Sequence, residues 1–469
     1  MVSSEAHPYV KSGGLADVVG ALPIALQVEG DEAAVVVPRY RSVPLDGAEL
    51  VYRQLRVYLG RNYYETDIWE RRHRGVTFYF VDCPPLYDRD GIYGDAYGEF
   101  GDNALRFAVL AGASLGVARH LFRPDIFHCH DWQAGLVPLF LKFMYPNDPT
   151  FAGIKTVFSI HNVGYQGTFP RRQLYDIGLD DRFWNAGAVE FHGAGSLMKA
   201  GLMWSDFLTT VSPTHAREIQ TPEYGFGMDG VLRERSDRLV GILNGCDYAE
   251  WDPATDPLIA ANYTADDLAG KRVCKKAVVD FFGLPAEAMD RPLVGIVSRL
   301  AQQKGFDMVG EAILKIANAD LSLVVLGSGE AKYETMFNHF AWARPDKFRV
   351  WLGYNNALAH QIEAGSDIFL MPSRYEPCGL NQIYSLKYGT LPVVRATGGL
   401  EDSVDGDTGF KFWGFSGDDL FGALKYALDT YRDHPDRWAF MVRQAMTRDF
   451  SWAVSAKEYS ALYRRLRLA

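Results

Sequence analysis

Two series of short, apolar, β-branched runs, separated by helix-length segments, constrain the fold of this chain more than any other feature. Most of the runs are nearly continuous in apolar residues, which is typical of strands buried on both faces of a parallel sheet. Strands that alternate with helices predict an α/β, doubly wound architecture. The first series is Ala33–Pro38, Asp125–His128, Lys155–Ile160, Phe207–Ser212 and Leu239–Leu243, and the second is Leu293–Ser298, Leu321–Leu326, Phe348–Trp351, Ile368–Met371 and Leu391–Val394. Predicted helices between them include Ala104–Phe122, Gly305–Asn318 and Asp418–Tyr431.

The two series are separated by residues 244–257, NGCDYAEWDPATDP, which are rich in turn-forming residues. The chain has 469 residues. Each half therefore has about 200–250 residues, enough for a hydrophobic core of its own. We predict two domains with a hinge at 244–257. Apolar residues at helical spacing predict a further helix over Trp452–Leu468.

Charge and cysteine usage exclude several classes of protein. The chain carries 48 Lys and Arg against 58 Asp and Glu, a net charge of −10. No basic face for nucleic acid is expected, although a local basic pocket for a small anion is allowed. The 5 cysteines are widely spaced and form no C-x-x-C pair, which argues against a disulfide framework or zinc ribbon and indicates a reducing compartment. Neither a secretory signal nor a membrane span is predicted.

Two glycine pairs precede helix-like segments, Gly13–Gly14 in the first half and Gly398–Gly399 in the second. Glycine lets backbone N–H groups approach a phosphate, and the positive end of the helix dipole favours an anion there. Lys11 would add a full charge. Each pair alone also fits a plain tight turn before a surface helix. One such turn in each domain indicates ligand-binding loops beyond the carboxyl ends of the strands, on the two sides of a cleft.

Charged residues follow two strands of the second series. Arg299 and Lys304 lie between a strand and a helix, where two cations suit a diphosphate leaving group. A solvated basic loop is the alternative. Glu376, in SRYEPCGL, follows the strand at Ile368–Met371 and precedes a helix that starts near Gly379. It fits either a carboxylate at the mouth of the cleft or a residue favoured at a helix N-terminus.

Polar residues also end two strands of the first series. His128 and His130 share one face of a strand, which allows a metal site, but no further His or Cys cluster completes a ligand set. The alternatives are plain polar residues at a strand end, or an Asp131 that faces substrate with Trp132 stacked on a sugar. His161–Asn162, in SIHNVGYQG, could hydrogen-bond sugar hydroxyls.

Several common signatures are absent from the sequence. There is no G-x-G-x-x-G after a strand, no GxxxxGK[ST], no G-x-S-x-G and no H-E-x-x-H. The D-x-D at Asp88–Asp90 is better interpreted as a turn than as a metal-binding motif. A nicotinamide oxidoreductase would need the dinucleotide fingerprint and its downstream acidic residue, so this class is not expected.

Taken together, the motifs closely resemble the bacterial glycogen synthase and plant starch synthase family. The matching segments run from near Met1 to the last helix and include KSGGLADVVGALP, HCHDWQAGL, SIHNVGYQG, GIVSRLAQQKG and SRYEPCGLNQIYSLKYGTLPVVRATGGLEDSV. The resemblance implies a GT-B fold: two Rossmann-like domains facing a deep cleft, residues 1–243 and 258–447, with a C-terminal helix in 448–469 that returns to the first domain.

The same resemblance implies an activity. Enzymes of this family are hexosyltransferases that transfer glucose from ADP-glucose to the non-reducing end of an α-1,4-glucan, with retention of the α-configuration, in glycogen or starch biosynthesis. No metal and no other cofactor is implied, and neither nucleic acid nor a membrane is expected as a partner. The expected location is the cytoplasm, or a plastid in a plant or alga, although no transit peptide is seen.

Roles for individual residues follow from the resemblance as well. The diphosphate is assigned to Arg299 and Lys304, and adenine stacking to Tyr354. Tyr384 stands where many other retaining GT-B enzymes carry a second Glu. The residues assigned to catalysis are Glu376, Lys304, Arg299, His161 and Asp131. The residues assigned to the nucleotide sugar are Lys11, Gly13, Gly14, Asn162, Asn244, Tyr354, Cys378, Gly379, Leu380, Tyr384, Thr397, Gly398 and Gly399.

Some alternatives stay open at this point. A UDP-glucose-using α-glucosyltransferase of the same fold and a non-catalytic glucan-binding scaffold are the rival functions. Retention by front-face attack and retention through a covalent intermediate are equally consistent with the residues. Only Met1 and Val2 precede the polar segment Ser3–Glu5. The opening strand of the first domain is therefore either very short or begins upstream.

Overall fold

The computed structural model describes residues 1–468. They form two compact units. Unit 1 contains Met1–Gly245 and the residues from Trp452 onward, and unit 2 contains Cys246–Ser451. The units divide close to the predicted domain boundaries, and a hinge at 244–257 stays a prediction. No helix among residues 1–468 is long and apolar enough to cross a membrane.

Unit 1 alternates strands and helices, as the first apolar series predicts. Its strands are β1 (Ala34–Pro38), β2 (Glu49–Leu59), β3 (Asn62–His73), β4 (Val76–Asp82), β5 (Gly94–Asp95), β6 (Gly98–Glu99), β7 (Ile126–His130), β8 (Lys155–Ile160), β9 (Thr168–Phe169), β10 (Glu190–Phe191), β11 (Ala194–Ser196), β12 (Phe207–Thr210) and β13 (Leu239–Gly241). Its helices before unit 2 are α1 (Gly14–Val28), α2 (Pro84–Tyr87), α3 (Asn103–His120), α4 (Leu136–Phe143), α5 (Leu197–Trp204), α6 (Pro213–Glu218) and α7 (Asp229–Glu234).

The main sheet of unit 1 is joined at its centre by the first residues of the chain. Val2 makes parallel bridges to Val36 of β1 on one side and Cys129 of β7 on the other. The N–H of Val2 donates to the His128 carbonyl at 2.9 Å. The strand order is therefore β2-β3-β4-β1-Val2-β7-β8-β12-β13. Within the described residues, the opening segment contributes Val2 as its bridging residue to this sheet.

The sequence reading missed the β2–β3–β4 meander. These strands pair antiparallel, and β4 then pairs in parallel with β1. On β2, Leu55, Val57 and Leu59 are buried while the residues between them are exposed. This period-two alternation is the signal of a half-exposed strand. It escapes a search for continuous apolar runs.

Unit 2 has a single sheet with helices packed around it. Its strands are β14 (Leu293–Val297), β15 (Ser322–Gly327), β16 (Phe348–Leu352), β17 (Ile368–Met371), β18 (Leu391–Arg395) and β19 (Phe410–Phe412). Its helices are α8 (Ala269–Phe282), α9 (Phe306–Asn318), α10 (Ala331–Ala343), α11 (Asn356–Gly365), α12 (Asn381–Lys387), α13 (Gly398–Ser403), α14 (Gly417–Asp433) and α15 (Pro435–Thr447). The strands of the second apolar series are confirmed, with ends shifted by a residue in places.

The strand order of unit 2 is β16-β15-β14-β17-β18-β19, and all neighbours are parallel. Counted along the chain, this is the order 3-2-1-4-5-6 of a Rossmann-like doubly wound sheet. The order reverses between β14 and β17. Ligands of such sheets bind outside the carboxyl ends of the strands at this switch point. In unit 1 the corresponding reversal lies between the Val2 segment and β7.

A C-terminal helix spans Trp452–Leu468, as predicted, and packs within unit 1. Val18, Leu22 and Leu26 lie four residues apart on α1 and therefore share one face of that helix. They form a buried apolar cluster with side chains of the C-terminal helix, including Trp452 and Tyr459. The prediction that the last helix returns to the first domain is confirmed.

Candidate active site

A cavity of about 180 Å³ lies at the switch point of unit 2. It is lined by residues that follow β14 and β17, together with the start of α12. Five of the predicted site residues meet there: Arg299, Lys304, Glu376, Gly379 and Leu380. Ser298, Ser373 and Asn381 also line this cavity.

A buried ion pair occupies the cavity wall. Lys304 Nζ donates to Glu376 Oε2 at 2.5 Å, and the two side chains are 18% and 8% exposed. The Ser373 hydroxyl donates to the same oxygen at 2.9 Å. Glu376 Oε1 accepts no hydrogen bond from residues 1–468 and is the oxygen of this carboxylate left for a ligand.

The turn that carries Lys304 is held against the loop after β17. The N–H of Arg374 donates to the Gln303 carbonyl at 2.8 Å. Gly305 follows Lys304 with φ +73°, and a Cβ there would stand 1.8 Å from the Pro372 carbonyl oxygen. Only glycine fits this approach. The spacing from Arg299 to Gly305 thus places both cations of this loop at one cavity.

Arg299 differs from Lys304 in its surroundings. It is exposed, and no ion pair of Arg299 occurs within the described residues. Its guanidinium therefore has its five N–H donors free to bind an anion. Two cations, one paired and one free, line the same cavity.

The second glycine pair packs against the loop of Glu376. Gly398 has φ +46°, and a Cβ on it would lie 1.9 Å from the Glu376 carbonyl oxygen. A Cβ on Gly399 would lie 2.0 Å from the Cys378 carbonyl oxygen. The Gly399 N–H donates to the Glu376 carbonyl at 3.2 Å. These glycines are required by backbone packing, so their presence alone is not a sign of phosphate binding.

Four other predicted residues of unit 2 do not line the cavity. Tyr354 follows β16 at the sheet edge and is 89% exposed. The Tyr384 ring on α12 stacks on Trp251, with ring centroids 4.0 Å apart and planes at 1°. Thr397 and Cys378 are buried beside the cavity loops, Cys378 with 6% of its surface exposed. Their assignment to the nucleotide sugar stays a prediction.

In unit 1, a buried glutamate holds the loop of the first glycine pair. Glu5 is 2% exposed. Its carboxylate accepts hydrogen bonds from the Ser12 N–H, from the Ser12 hydroxyl at 2.7 Å and from the Tyr93 hydroxyl. Sequence reasoning missed Glu5, because nothing in its local sequence shows that it faces Ser12.

The glycines of this loop are not required by packing. Ideal Cβ atoms on Gly13 and Gly14 meet nothing within 4 Å. Gly13 has φ −161°, which any residue adopts. Lys11, next to them, is half exposed and pairs with Asp17 of α1 at 2.7 Å. The space next to Gly13 and Gly14 is open, so their role in binding the nucleotide sugar stays a prediction.

Asp131 and His161 meet at the carboxyl ends of the neighbouring strands β7 and β8. Asp131 Oδ1 accepts from the His161 N–H at 2.8 Å and the Asn162 N–H at 3.4 Å. Asp131 has φ +58° without being glycine, a strained geometry that is typical of functional sites. Burial raises the pKa of Asp131 to about 7, although both N–H groups oppose the rise.

The His161 side chain is held from a second direction. Its Nε2 lies 3.0 Å from Nδ1 of the buried His130. Burial lowers the pKa of His161 to about 3, so its imidazole is neutral at physiological pH. The structure thus fixes both the backbone and the ring of His161.

The structure shows the contacts of the side chains at the end of β7. His128 bonds Tyr463 and Ser159, each at 2.6 Å, and no group of three or more His, Cys, Asp or Glu suited to a metal ion occurs in the described chain. Trp132 is 8% exposed and packs edge-on against Phe107 at 5.0 Å. It packs mainly against the core, and its stacking on a sugar stays a prediction.

Asn244 closes the set of predicted residues of unit 1. It follows β13, is 6% exposed, and its Oδ1 is buried with no hydrogen-bond partner in residues 1–468. The structure brings Asp131, His161 and Asn162 together by hydrogen bonds. It shows no such contact for Asn244.

Comparisons with known proteins identify the family. The family described as "Starch synthase catalytic domain" matches residues 1–234, and "Glycosyl transferases group 1" matches residues 283–440. A "Glycogen synthase" of Koribacter versatilis is 47% identical over 99% of this chain and 97% of its own length. "Glycogen synthase 1" of Geobacter sulfurreducens is 44% identical over 99% and 95%.

Solved structures agree. The catalytic domain of starch synthase IV from Arabidopsis thaliana, bound to ADP and acarbose, is 33% identical, with a TM-score of 0.90 over 100% of this chain and 99% of that one. Sucrose-phosphate synthase from Thermosynechococcus elongatus, 16% identical with a TM-score of 0.62 over 99% and 98%, shares the fold. The chain belongs to the glycogen and starch synthase family, has the GT-B fold and is a hexosyltransferase.

Proposed function

We propose that this hexosyltransferase moves the glucosyl group of ADP-glucose to the non-reducing end of an α-1,4-glucan, with retention of the α-configuration, in glycogen or starch biosynthesis. One observation carries the proposal: Arg299, Lys304 and Glu376 line a single cavity at the switch point of unit 2. The similarity to a starch synthase that binds ADP and acarbose supports this choice of donor and acceptor.

The cavity suits departure of a nucleoside diphosphate. The bond from the glucosyl C1 to the diphosphate oxygen breaks, and its electron pair goes to that oxygen. Arg299 is free to bind the resulting anion, and Lys304 adds a second charge. Cations placed where negative charge develops stabilise it as the bond breaks. We assign leaving-group stabilisation to these two residues.

Glu376 has three roles in this proposal. Through Oε2 it orients the Lys304 ammonium, and through the unpartnered Oε1 it accepts a hydrogen bond from a sugar hydroxyl. Gly379 and Leu380 lie beside it in the cavity wall. The positive charge that develops on the sugar ring is eased by a nearby carboxylate. Cys378 and the Thr397–Gly399 turn are assigned to the shape of this wall.

In unit 1 we assign the sugar side of the reaction to Asp131, His161 and Asn162, with Lys11 and the open Gly13–Gly14 loop as a further nucleotide-sugar contact. The neutral His161 ring offers a hydrogen bond without charge. Asp131 holds the backbone of His161 and Asn162 in place. Formation of the new glycosidic bond releases the proton of the acceptor 4-hydroxyl group, which passes to the departing diphosphate or to solvent.

Three further assignments stay with the nucleotide-sugar site. Tyr354 is proposed to stack on adenine, since its ring is 89% exposed at the carboxyl end of β16. Tyr384, stacked on Trp251, is proposed to fix α12 behind the donor. Asn244 is proposed to form a hydrogen bond when the donor is bound, because its buried Oδ1 lacks a partner within the described chain. A cytoplasmic location is part of the same proposal.

The test is incorporation of labelled glucose into glycogen from ADP-glucose and, separately, from UDP-glucose. We expect incorporation from ADP-glucose and a loss of about 10²–10³-fold in kcat/KM for Lys304→Ala, the size typical of removing one charge-stabilising group. Lys276→Ala is the matched control, because Lys276 is 64% exposed and pairs only with Asp280 one helical turn away. If glucose is transferred from UDP-glucose alone, the donor is UDP-glucose and not ADP-glucose. Glycogen binding without transfer from either donor would identify a scaffold.

A further inference from the structure

Three histidines form a buried row at the carboxyl end of β7 and β8. The rings of His128 and His130 have centroids 4.1 Å apart with planes tilted by 30°, and the rings of His130 and His161 have centroids 5.3 Å apart. His128 and His130 are 2% and 0% exposed. Burial lowers the pKa of both well below the usual range, so each ring is neutral. The row leads from the core of unit 1 to His161.

The hydrogen bonds of His130 leave one of its nitrogens unused. Nδ1 lies 3.0 Å from His161 Nε2. Nε2 is buried and has no partner in the described residues. A neutral imidazole carries one N–H donor and one bare acceptor nitrogen. The single bond to His161 therefore decides which nitrogen of His130 holds the proton.

The hydrogen bond between His130 and His161 can run in either direction, and the burial of His130 Nε2 favours one of them. If His161 donated from Nε2, then His130 Nε2 would be a buried N–H with no acceptor. If His130 donates from Nδ1, then its Nε2 is a buried lone pair. An orphaned N–H is rarer in proteins than an under-satisfied acceptor. The second arrangement is favoured, and it leaves His161 with a bare Nε2 and a protonated Nδ1.

We propose that His130 is a positioning residue that fixes the ring and the tautomer of His161, so that His161 presents Nδ1–H as a hydrogen-bond donor to an oxygen of the transferred sugar. Nδ1 of His161 makes no hydrogen bond with residues 1–468. The Asp131 bond to the His161 N–H holds the backbone at the same time. The contact with sugar rests on the proposed function, whereas the tautomer does not.

The direct test is the tautomer. In the wild-type chain, with nitrogen-15 in its histidines and without substrate, NMR shifts are expected to show a protonated Nδ1 and a bare Nε2 for His161 between pH 6 and 8. His161→Gln identifies the signal. The opposite tautomer would overturn the inference whether or not the chain transfers glucose.

The functional test compares two substitutions of His130. His130→Asn places an amide N–H close to the position of Nδ1 and keeps the donor, whereas His130→Leu removes it. We expect His130→Leu to lower kcat for glucosyl transfer at least tenfold with a smaller change in KM, and His130→Asn to stay within about threefold of wild type. Equal activities of the two variants, or a fully active His130→Leu, would refute the role.

The control separates positioning from core packing. Tyr463→Phe removes the partner of His128 in the same buried row but leaves the bond between His130 and His161. It is expected to keep kcat within about twofold, even if the protein unfolds at a lower temperature. A loss as large as that of His130→Leu would show that the row acts through stability. If His130→Leu fails to fold, the activity of His130→Asn and the tautomer of His161 measured by NMR still test the proposal.

Discussion

Breaking the Lys304–Glu376 pair from either side distinguishes its structural from its chemical contribution. Lys304→Met leaves Glu376, 8% exposed, with the Ser373 hydroxyl as its remaining donor. Removing one partner of a buried pair costs about 3–5 kcal/mol. Because Lys304 is 18% exposed, water partly replaces it. We therefore expect a loss of about 2–3 kcal/mol in the free energy of unfolding of unit 2.

The opposite substitution is expected to be milder. Glu376→Gln keeps an acceptor for Ser373, and the more exposed Lys304 can turn to water, so the cost is about 1 kcal/mol. The double variant Lys304→Met/Glu376→Gln has no unpaired charge. It should lose about 1 kcal/mol rather than the sum of the single losses, a coupling of about 2–3 kcal/mol.

Two assays follow the same variants. For a unit of about 200 residues each kcal/mol shifts Tm by about 2–4 °C, so calorimetry should show a drop of about 4–12 °C for Lys304→Met and a recovery in the double variant. Transfer from ADP-glucose should fall in all three. If Lys304→Met is as stable as wild type, the carboxylate is not effectively buried. If the double variant regains activity together with stability, the proposed chemical role of Lys304 is wrong.

Three further predictions concern separate loops. The pKa of Asp131 is about 7 in the folded state, above its unfolded value, so the unfolding free energy of the wild type should fall as the pH rises from 5 to 8. Asp131→Asn removes this titration, so urea titrations should show the unfolding free energy of the variant rising relative to wild type by about 2 kcal/mol over the same range. A difference that stays constant with pH would contradict the raised pKa. Gly399→Ala should lower Tm, because the new Cβ would lie 2.0 Å from the Cys378 carbonyl oxygen. Gly422→Ala is the control and should not lower Tm, because a Cβ at this position of α14 meets open space. Equal Tm values for the two variants would show that the loop around Gly399 can move to accommodate the Cβ. Tyr354→Ala should raise KM for ADP-glucose about tenfold with little change in kcat, because a stacking contact with the base is lost. Tyr426, which is 66% exposed on α14, is the control, and Tyr426→Ala should leave KM unchanged. The same KM in both variants would refute the adenine contact.

Much of the fold could be predicted from the sequence because parallel strands buried on both faces are written as continuous apolar runs. The segment AVVVP of β1, with all five residues buried, is typical. The β2–β4 meander could not be found in this way, because one face of β2 carries charged and polar residues. β19 has three residues and is too short for any period.

Some residues of the candidate site could be predicted from the sequence, whereas the side chains that hold them in place could not. Residues at strand ends, such as Arg299 and Asp131, could be predicted because parallel strands end at one edge of a sheet. The partners that hold them could not. Glu5 acts on Ser12, and His130 acts on a histidine 31 residues away. Such pairings depend on which strands become neighbours, and local sequence does not record strand order.

The C-terminal helix has a consequence for the order of folding during synthesis. Its cluster with Val18, Leu22 and Leu26 completes the core of unit 1, and residues 452–468 leave the ribosome only after the whole of unit 2. Domains usually fold in the order in which they are made. Here the second unit, one continuous stretch of chain, can reach its native state while the first still exposes an apolar face of α1. Nascent unit 1 therefore keeps this apolar face uncovered until its last helix is made.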